Sequence, residues 1–544
     1  MRDDLRWMRP AFATRRFADH GAASVAVLFA ALLLVAACGS KPSDLREIAP
    51  ADSLVYIETN DVEAVLRPIV ESTAFSQAAA ARPDLSALRG VQVAVVVTGF
   101  ETTENKINDE SSVLDFRPHF AAIVDTHLWN WQARSFAENQ VGEFVNKIYG
   151  GGVQLETGPK GGGHEFIWTA EDGRRVYAFV EGSLLFFAND RSSIDKCLAV
   201  RRGEAESFAK TGKAASSPST LIAGYVSPEG VGQIANVIGA AEAKDSGDDE
   251  QLQSFVARVL PQILRGSISD VVWTAAAGPG GVEDRLTFAT NAEVTSVLNE
   301  TLAPADAIDT SLLQFVPGSL PSVTLYSLKD PRIAWRSVLL TAQRLTDPAT
   351  GQILAGSSNA VFEPYGVRDG EMFLSAVRGS IVTARFDDAG ERSVVIATAS
   401  DLERLRRSLL PELKPDKQRS EAAGVDFWYA PSDDVAAAFV DGTIIAGDAE
   451  SVVRCLGARG ADNVLKTTSA HGLASLRGPA VTVAFDTMIA SDLASVLGER
   501  KETKDNAAVR FLTETRFTRS GVERRVVSEV GLAASIVAEL GLEP

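Results

Sequence analysis

The residues best suited to chemistry are scarce and scattered. The chain carries five histidines, His20, His119, His127, His164 and His471, and no two of them stand at the spacing of metal ligands. His164-Glu165 does not run on to a second histidine one helical turn later, so the zinc helix of metalloproteases is absent. No Gly-x-Ser-x-Gly elbow and no Ser/Lys pattern of penicillin-recognising enzymes occurs. Gly158-Pro159-Lys160-Gly161-Gly162-Gly163 lacks the Gly-Lys-Ser/Thr ending that cradles a phosphate, and it lies between two strand-like runs, so it predicts a hairpin loop. The acids between Lys244 and Glu250 are bunched, without the alternate spacing and distal Glu of an EF-hand, and read as a solvated loop. Carboxylates are plentiful, so a pair able to share acid and base work can meet in space, but their sequence positions do not single one out. The expectation is a protein without metal or cofactor, and not an enzyme.

The elements that hold these residues begin with an address. The chain has 544 residues, 45 % hydrophobic and 23 % charged, with a formal charge of −18, and is long enough for about three ordinary domains. Its acidic balance repels phosphate backbones, so nucleic acid is excluded as a partner. Arginines 2, 6, 9, 15 and 16 precede an uncharged run from Ala22 to Ala37. That run is short of the roughly 20 apolar residues a bilayer core demands and closes on small residues, which predicts a cleaved signal peptide over residues 1–37. The ending Val35-Ala36-Ala37-Cys38 resembles the lipobox of bacterial lipoproteins. The resemblance implies that Cys38 is acylated and becomes the first mature residue, with 38–45 as linker. Gly39, where inner-membrane-retained lipoproteins carry Asp, implies the outer membrane facing the periplasm, or the cell surface.

Behind the address lies an internal duplication. Ala178-Phe179-Val180-Glu181-Gly182-Ser183-Leu184-Leu185 matches Ala438-Phe439-Val440-Asp441-Gly442-Thr443-Ile444-Ile445 position by position, and the run from Asp190 to Leu198 matches that from Asp448 to Leu456. Residues 53–61 pair in the same order with 322–330, 120–136 with 393–409, 221–239 with 480–498, and 281–285 with 521–525. The reading is α+β: two tandem homologous repeats, 46–300 and 311–544, each a mainly antiparallel sheet with helices on one face. Residues 240–266 form an acidic loop and extra helix inserted in the first repeat, and the seam falls near 302–310. Ser400 and Glu403 suggest a capping box ahead of Leu402, Leu405 and Leu409.

The same alignment raises three side chains for notice. Cys197 and Cys455 fall at equivalent positions; they read as two small buried residues in separate cores, with an inter-repeat disulfide as the alternative. Trp129 matches Leu402 and reads as core, whereas Trp131 matches Arg404 and should face water, where it would suit contact with a ligand or partner. Cover by the preceding loop is the alternative for Trp131.

The opening strand after Pro50 and the Ala-Phe-Val-Glu/Asp-Gly strand before a Cys-bearing helix resemble uncharacterised bacterial envelope proteins grouped as a domain of unknown function. That resemblance implies no catalytic residue. The expected function is that of a non-catalytic, lipid-anchored envelope protein, held to the membrane at Cys38, whose duplicated body binds a ligand or an envelope partner. The alternatives are an envelope hydrolase using dispersed carboxylates and a chaperone or assembly lipoprotein carrying apolar cargo.

Overall fold

The computed structural model describes residues 44–106, 112–149, 152–215, 219–245, 250–387, 390–413, 419–422, 424–430, 434–460, 463–467, 476–498, 500–501 and 507–539, with 217 and 432. The expected signal peptide, Cys38 and most of the linker lie outside the described residues. The fold is α+β, and among the described residues its strands form one antiparallel sheet of 20. Its first ten strands are β1 (Val55–Thr59), β2 (Gln92–Lys106), β3 (Ser112–Asp125), β4 (Gln154–Lys160), β5 (Gly163–Thr169), β6 (Arg175–Glu181), β7 (Leu184–Ala188), β8 (Thr220–Val226), β9 (Ile268–Gly278) and β10 (Gly281–Thr290). The second ten are β11 (Ser322–Tyr326), β12 (Val377–Arg385), β13 (Ser393–Ala399), β14 (Arg419–Ala422), β15 (Val425–Ala430), β16 (Val435–Val440), β17 (Thr443–Asp448), β18 (Thr482–Ile489), β19 (Ala508–Thr518) and β20 (Gly521–Ser528).

Across the sheet the strands run 4-5-6-7-3-2-1-8-9-10 and then 20-19-18-11-12-13-17-16-15-14. The joint is β10 against β20, where Arg285 stands directly opposite Arg525. A side chain at Gly281 would run into the Ser528 carbonyl, and one at Gly521 into the Phe288 carbonyl; both glycines have positive φ. Two strand backbones pass too closely there for any Cβ.

Helices cover both faces of the sheet, not one. In the first half Cys197, on the helix Arg191–Arg201, packs with Ala94, Val96, Ile123 and Phe186, while the helices Val62–Glu71 and Asn130–Phe136 pack on the opposite face against Val93, Ala122, Val124 and Phe187. The cause is legible in the strands. Leu184–Ala188 is buried at every position, and Ala436, Ala437 and Ala438 are all fully buried, so these strands have no water-facing side. Such runs need two covers.

Aspartates at matched positions cap four helices. Asp190 accepts from the Ser193 amide and Asp448 from Ser451; Asp61 accepts from Ala64 and Asp330 from Ile333. At 400–403 the cap is Asp401, which accepts from the Arg404 amide, so the helix starts at Leu402 and that residue is 38 % exposed rather than core. Leu405 and Leu409 are buried as their spacing predicts.

The most similar pair of segments is offset by one residue. The first hairpin turns through Gly182-Ser183, with Glu181 opposite Leu184; the second turns through Asp441-Gly442, with Val440 opposite Thr443. Gly182 alone has positive φ in the first turn, whereas Asp441 and Gly442 both do in the second. The first is the type II′ pattern and the second type I′, which an Asp tolerates and a Glu resists. A one-residue shift sends every side chain to the other face. Phe179 therefore joins the Cys197 core, while Phe439 packs on the face opposite Cys455.

The inserted stretch supplies the end of the helix Pro228–Asp245, so Lys244 and Asp245 are helical where a loop is expected, and the helix Glu250–Ser267 packed along it; residues 246–249 lie outside the described residues. Each half also sends its closing helix over the joint. Asn299, on Ala292–Thr301, donates to the Thr518 carbonyl, and Ala533 of Leu532–Glu539 packs with Val65, Trp273 and Val282.

Candidate functional site

Trp131 is 69 % exposed and Trp129 77 %. The reading of Trp129 as a core residue is thus corrected. The helix begins at Asn130, which puts Trp129 at its cap, outside the periodicity that buries Ala133 and Phe136. The backbone beneath the two indoles is stitched down. Asp125 Oδ1 accepts from the His127 amide at 3.0 Å, an Asx turn that holds His127 at φ +51°. Thr126 Oγ1 donates to the Ser183 carbonyl at 2.7 Å and accepts from the Leu128 amide. The Trp129 amide donates to Gln132 Oε1. Asp125 and Thr126 are almost completely buried, and His127 Nδ1 lies 3.3 Å from Asp125 Oδ1. Two large apolar rings are thereby held in water on a rigid base.

The remaining expected residues do not converge. His119 lies near Glu101 and Asp190, His164 Nε2 meets Thr157 Oγ1 at 2.8 Å, and His20 and His471 fall outside the described residues. Cys197 and Cys455 are free, each fully buried in its own core, and burial raises the Cys197 thiol to about 12 and lifts that of Cys455 as well. Among the described residues no group of three or more His, Cys, Asp or Glu could hold a metal ion.

A second constellation, which no local sequence motif marks, spans the joint. On the face that carries Cys197 and Cys455, Glu283 Oε2 accepts from Arg525 at 3.0 Å and from Arg477 at 2.8 Å, and Glu283 Oε1 pairs with Arg285. Glu514 accepts from Arg525 at 2.6 Å, from Arg516 at 2.9 Å and from the Arg477 amide at 3.0 Å. Glu514 and Arg525 are buried, Glu283 nearly so, and Arg285 and Arg477 are half exposed. Burial pulls the Glu283 carboxyl upward, but hydrogen bonds from Arg525 and Arg285 outweigh it and hold it below the ordinary range. The signal was present as alternating charge, Glu283-x-Arg285 and Glu514-x-Arg516, whose members share a strand face. Which charges meet depended on the β10–β20 register, which no local pattern encodes.

One residue along, on the opposite face, Asp284 is fully buried. Its Oδ1 accepts from Trp273 Nε1 at 2.9 Å and its Oδ2 from the Leu532 amide, the first residue of the closing helix, at 2.8 Å. Burial nevertheless dominates and raises the carboxyl to about 6.

Tyr56 and Glu58 form a third buried polar pair, with Tyr56 Oη donating to Glu58 Oε2 at 2.6 Å. Burial, then the Glu58 charge, pushes the phenol far up. Comparison with protein-family models, with curated proteins and with solved structures found no match to this chain.

Proposed function

We propose that this chain is a non-catalytic, lipid-anchored protein of a bacterial cell envelope, acylated at Cys38, whose two halves are tandem copies of one α+β unit and serve as an interaction body. The observation that carries the interaction reading is the pair of exposed indoles on a stitched turn, because a large apolar ring held in water by buried hydrogen bonds gains from contact with something else.

The duplication draws support from several observations. Counted outward from the joint, the strand order of one half repeats in the other. The crowded glycines, Gly281 and Gly521, meet carbonyls 240 residues apart, as do the glycines themselves. Cys197 and Cys455 occupy matching helices. A non-catalytic role is supported by the charged cluster at the joint, where the carboxylates are taken up by guanidinium groups, which hold their protons at neutral pH. A cargo carrier would want an apolar groove at that joint, and the space holds ion pairs on one face and packed side chains on the other.

The test is the mature amino terminus. Mass spectrometry of protein extracted from the envelope should find a peptide beginning at an acylated Cys38, and Cys38→Ala should block processing. An unmodified Cys38 in mature protein would sink the anchor reading.

A further inference from the structure

We infer that Trp129 and Trp131 rest in the interfacial layer of the bilayer that carries the Cys38 anchor, so that the body touches its membrane at a second point; the inference rests on the acylation proposed above. Where the anchored segment enters the fold decides the geometry. Asp44 is six residues after Cys38, a span of at most about 20 Å in extended chain. Asp44 is itself fixed: its carboxylate pairs with Arg46 at 2.9 Å, and the next residue, Leu45, is buried in the core that holds Tyr56. Leu45 shares that core with Tyr56, whose hydroxyl donates to Glu58, and its turn packs on β2, which sets this entry point over the β1–β2 pair.

The indoles stand past the C-terminal ends of β1 and β3, their helix on the other face of the sheet from Leu45. Glu58 pairs with Ala94 on β2, and Ala94 pairs with Ile123 on β3, so Glu58 and Ile123 are two strand spacings, about 10 Å, apart. β1 and β3 run in the same direction, both antiparallel to β2. β3 ends two residues later at Asp125, and the turn stitched to Ser183 delivers Trp129 and Trp131 from that same end of the sheet. A tether so short and so placed holds this end toward the lipid and makes the second contact intramolecular.

The chemistry suits an interface. Indole presents a broad apolar face and one N–H, and it prefers the headgroup layer to either water or hydrocarbon. The chain's charge of −18 disfavours anionic headgroups, so the occupant is the neutral interface and the attraction is apolar.

The experiment uses acylated protein, its lipid verified by the mass of the amino-terminal peptide, reconstituted into phosphatidylcholine vesicles whose acyl chains carry bromine near the headgroup. Wild-type tryptophan emission should shift to the blue and lose intensity relative to unbrominated vesicles. In W129A/W131A, whose substituted side chains are exposed and leave the core intact, that loss should vanish while the protein stays bound through its lipid. Verified acylation with bromine-insensitive wild-type emission overturns the inference and leaves the anchor standing. Emission lost equally in W129A/W131A overturns it too, assigning the contact to other indoles. A chain with no acyl group overturns both.

Discussion

Glu283 and Asp284 are neighbours in one strand and belong to different worlds. Glu283 lies on the face where guanidinium groups gather, and its carboxyl is held below the ordinary range. Asp284 lies on the face where Trp273, Val282 and the closing helix pack, and burial raises its carboxyl to about 6 despite two hydrogen bonds. The lesson concerns how one sheet joins two halves. One face of the joint is held by charge, which fixes register because only one pairing brings Glu283 and Glu514 together on Arg525. The other is held by a core that continues from Leu66, Phe75 and Leu88 of the first half to Leu493, Phe511 and Val537 of the second. Apolar contact supplies most of the strength, being proportional to area and indifferent to partner. Ion pairs supply selectivity, since a mismatched register leaves a buried charge alone.

This contrast can be broken from either side. The largest effect should follow Arg525→Ala, which strands the buried Glu514 carboxylate; we expect a loss of about 4 kcal/mol in urea unfolding. Arg525→Met combined with Glu514→Leu should recover most of that loss, because well-packed apolar residues can replace a buried pair. On the other face Leu493→Ala, at a fully buried site, should cost about 3 kcal/mol, and unlike the ionic variants its effect should not change with salt.

The pH dependence separates the faces further. A carboxyl whose folded value exceeds its unfolded value stabilises the fold while protonated. For Asp284 that stabilisation is complete below about 4 and is lost as pH rises through about 6. Between those limits wild type should lose up to roughly 3 kcal/mol relative to Asp284→Asn, read as the difference between two urea series. The smallest effect belongs to the half-exposed rim: Arg477→Ala should cost under about 1 kcal/mol and less at high salt.

Much of this was readable from the sequence, and the misreadings share one cause. The glycine hairpin at 161–162 and the burial of Leu405 and Leu409 are legible because each is a local demand of the chain. Where outcome depended on phase, local pattern failed. The apolar spacing puts Trp129 and Leu402 one helical step too far inside, because it does not mark the first helical residue. The Ala-Phe-Val runs aligned by identity yet face opposite ways, since a strand apolar on both sides gives no hint of which residue points where. The same property hid the second layer of helices. The ion pairs at the joint were invisible for a different reason, since their partners lie up to 242 residues apart.

The joint also imposes an order on synthesis. β10 leaves the ribosome 240 residues before β20, its partner across the joint. At about 5 to 20 residues per second the interval is tens of seconds, and a first half that folds before the second arrives presents an open strand edge to whatever else is nearby. Glu283, Asp284 and Arg285 sit in a row along that edge. Adjacent charges deter an uninvited strand. The residues that later lock the register thus first act as guards on an unfinished sheet, before the chain that completes it has been made.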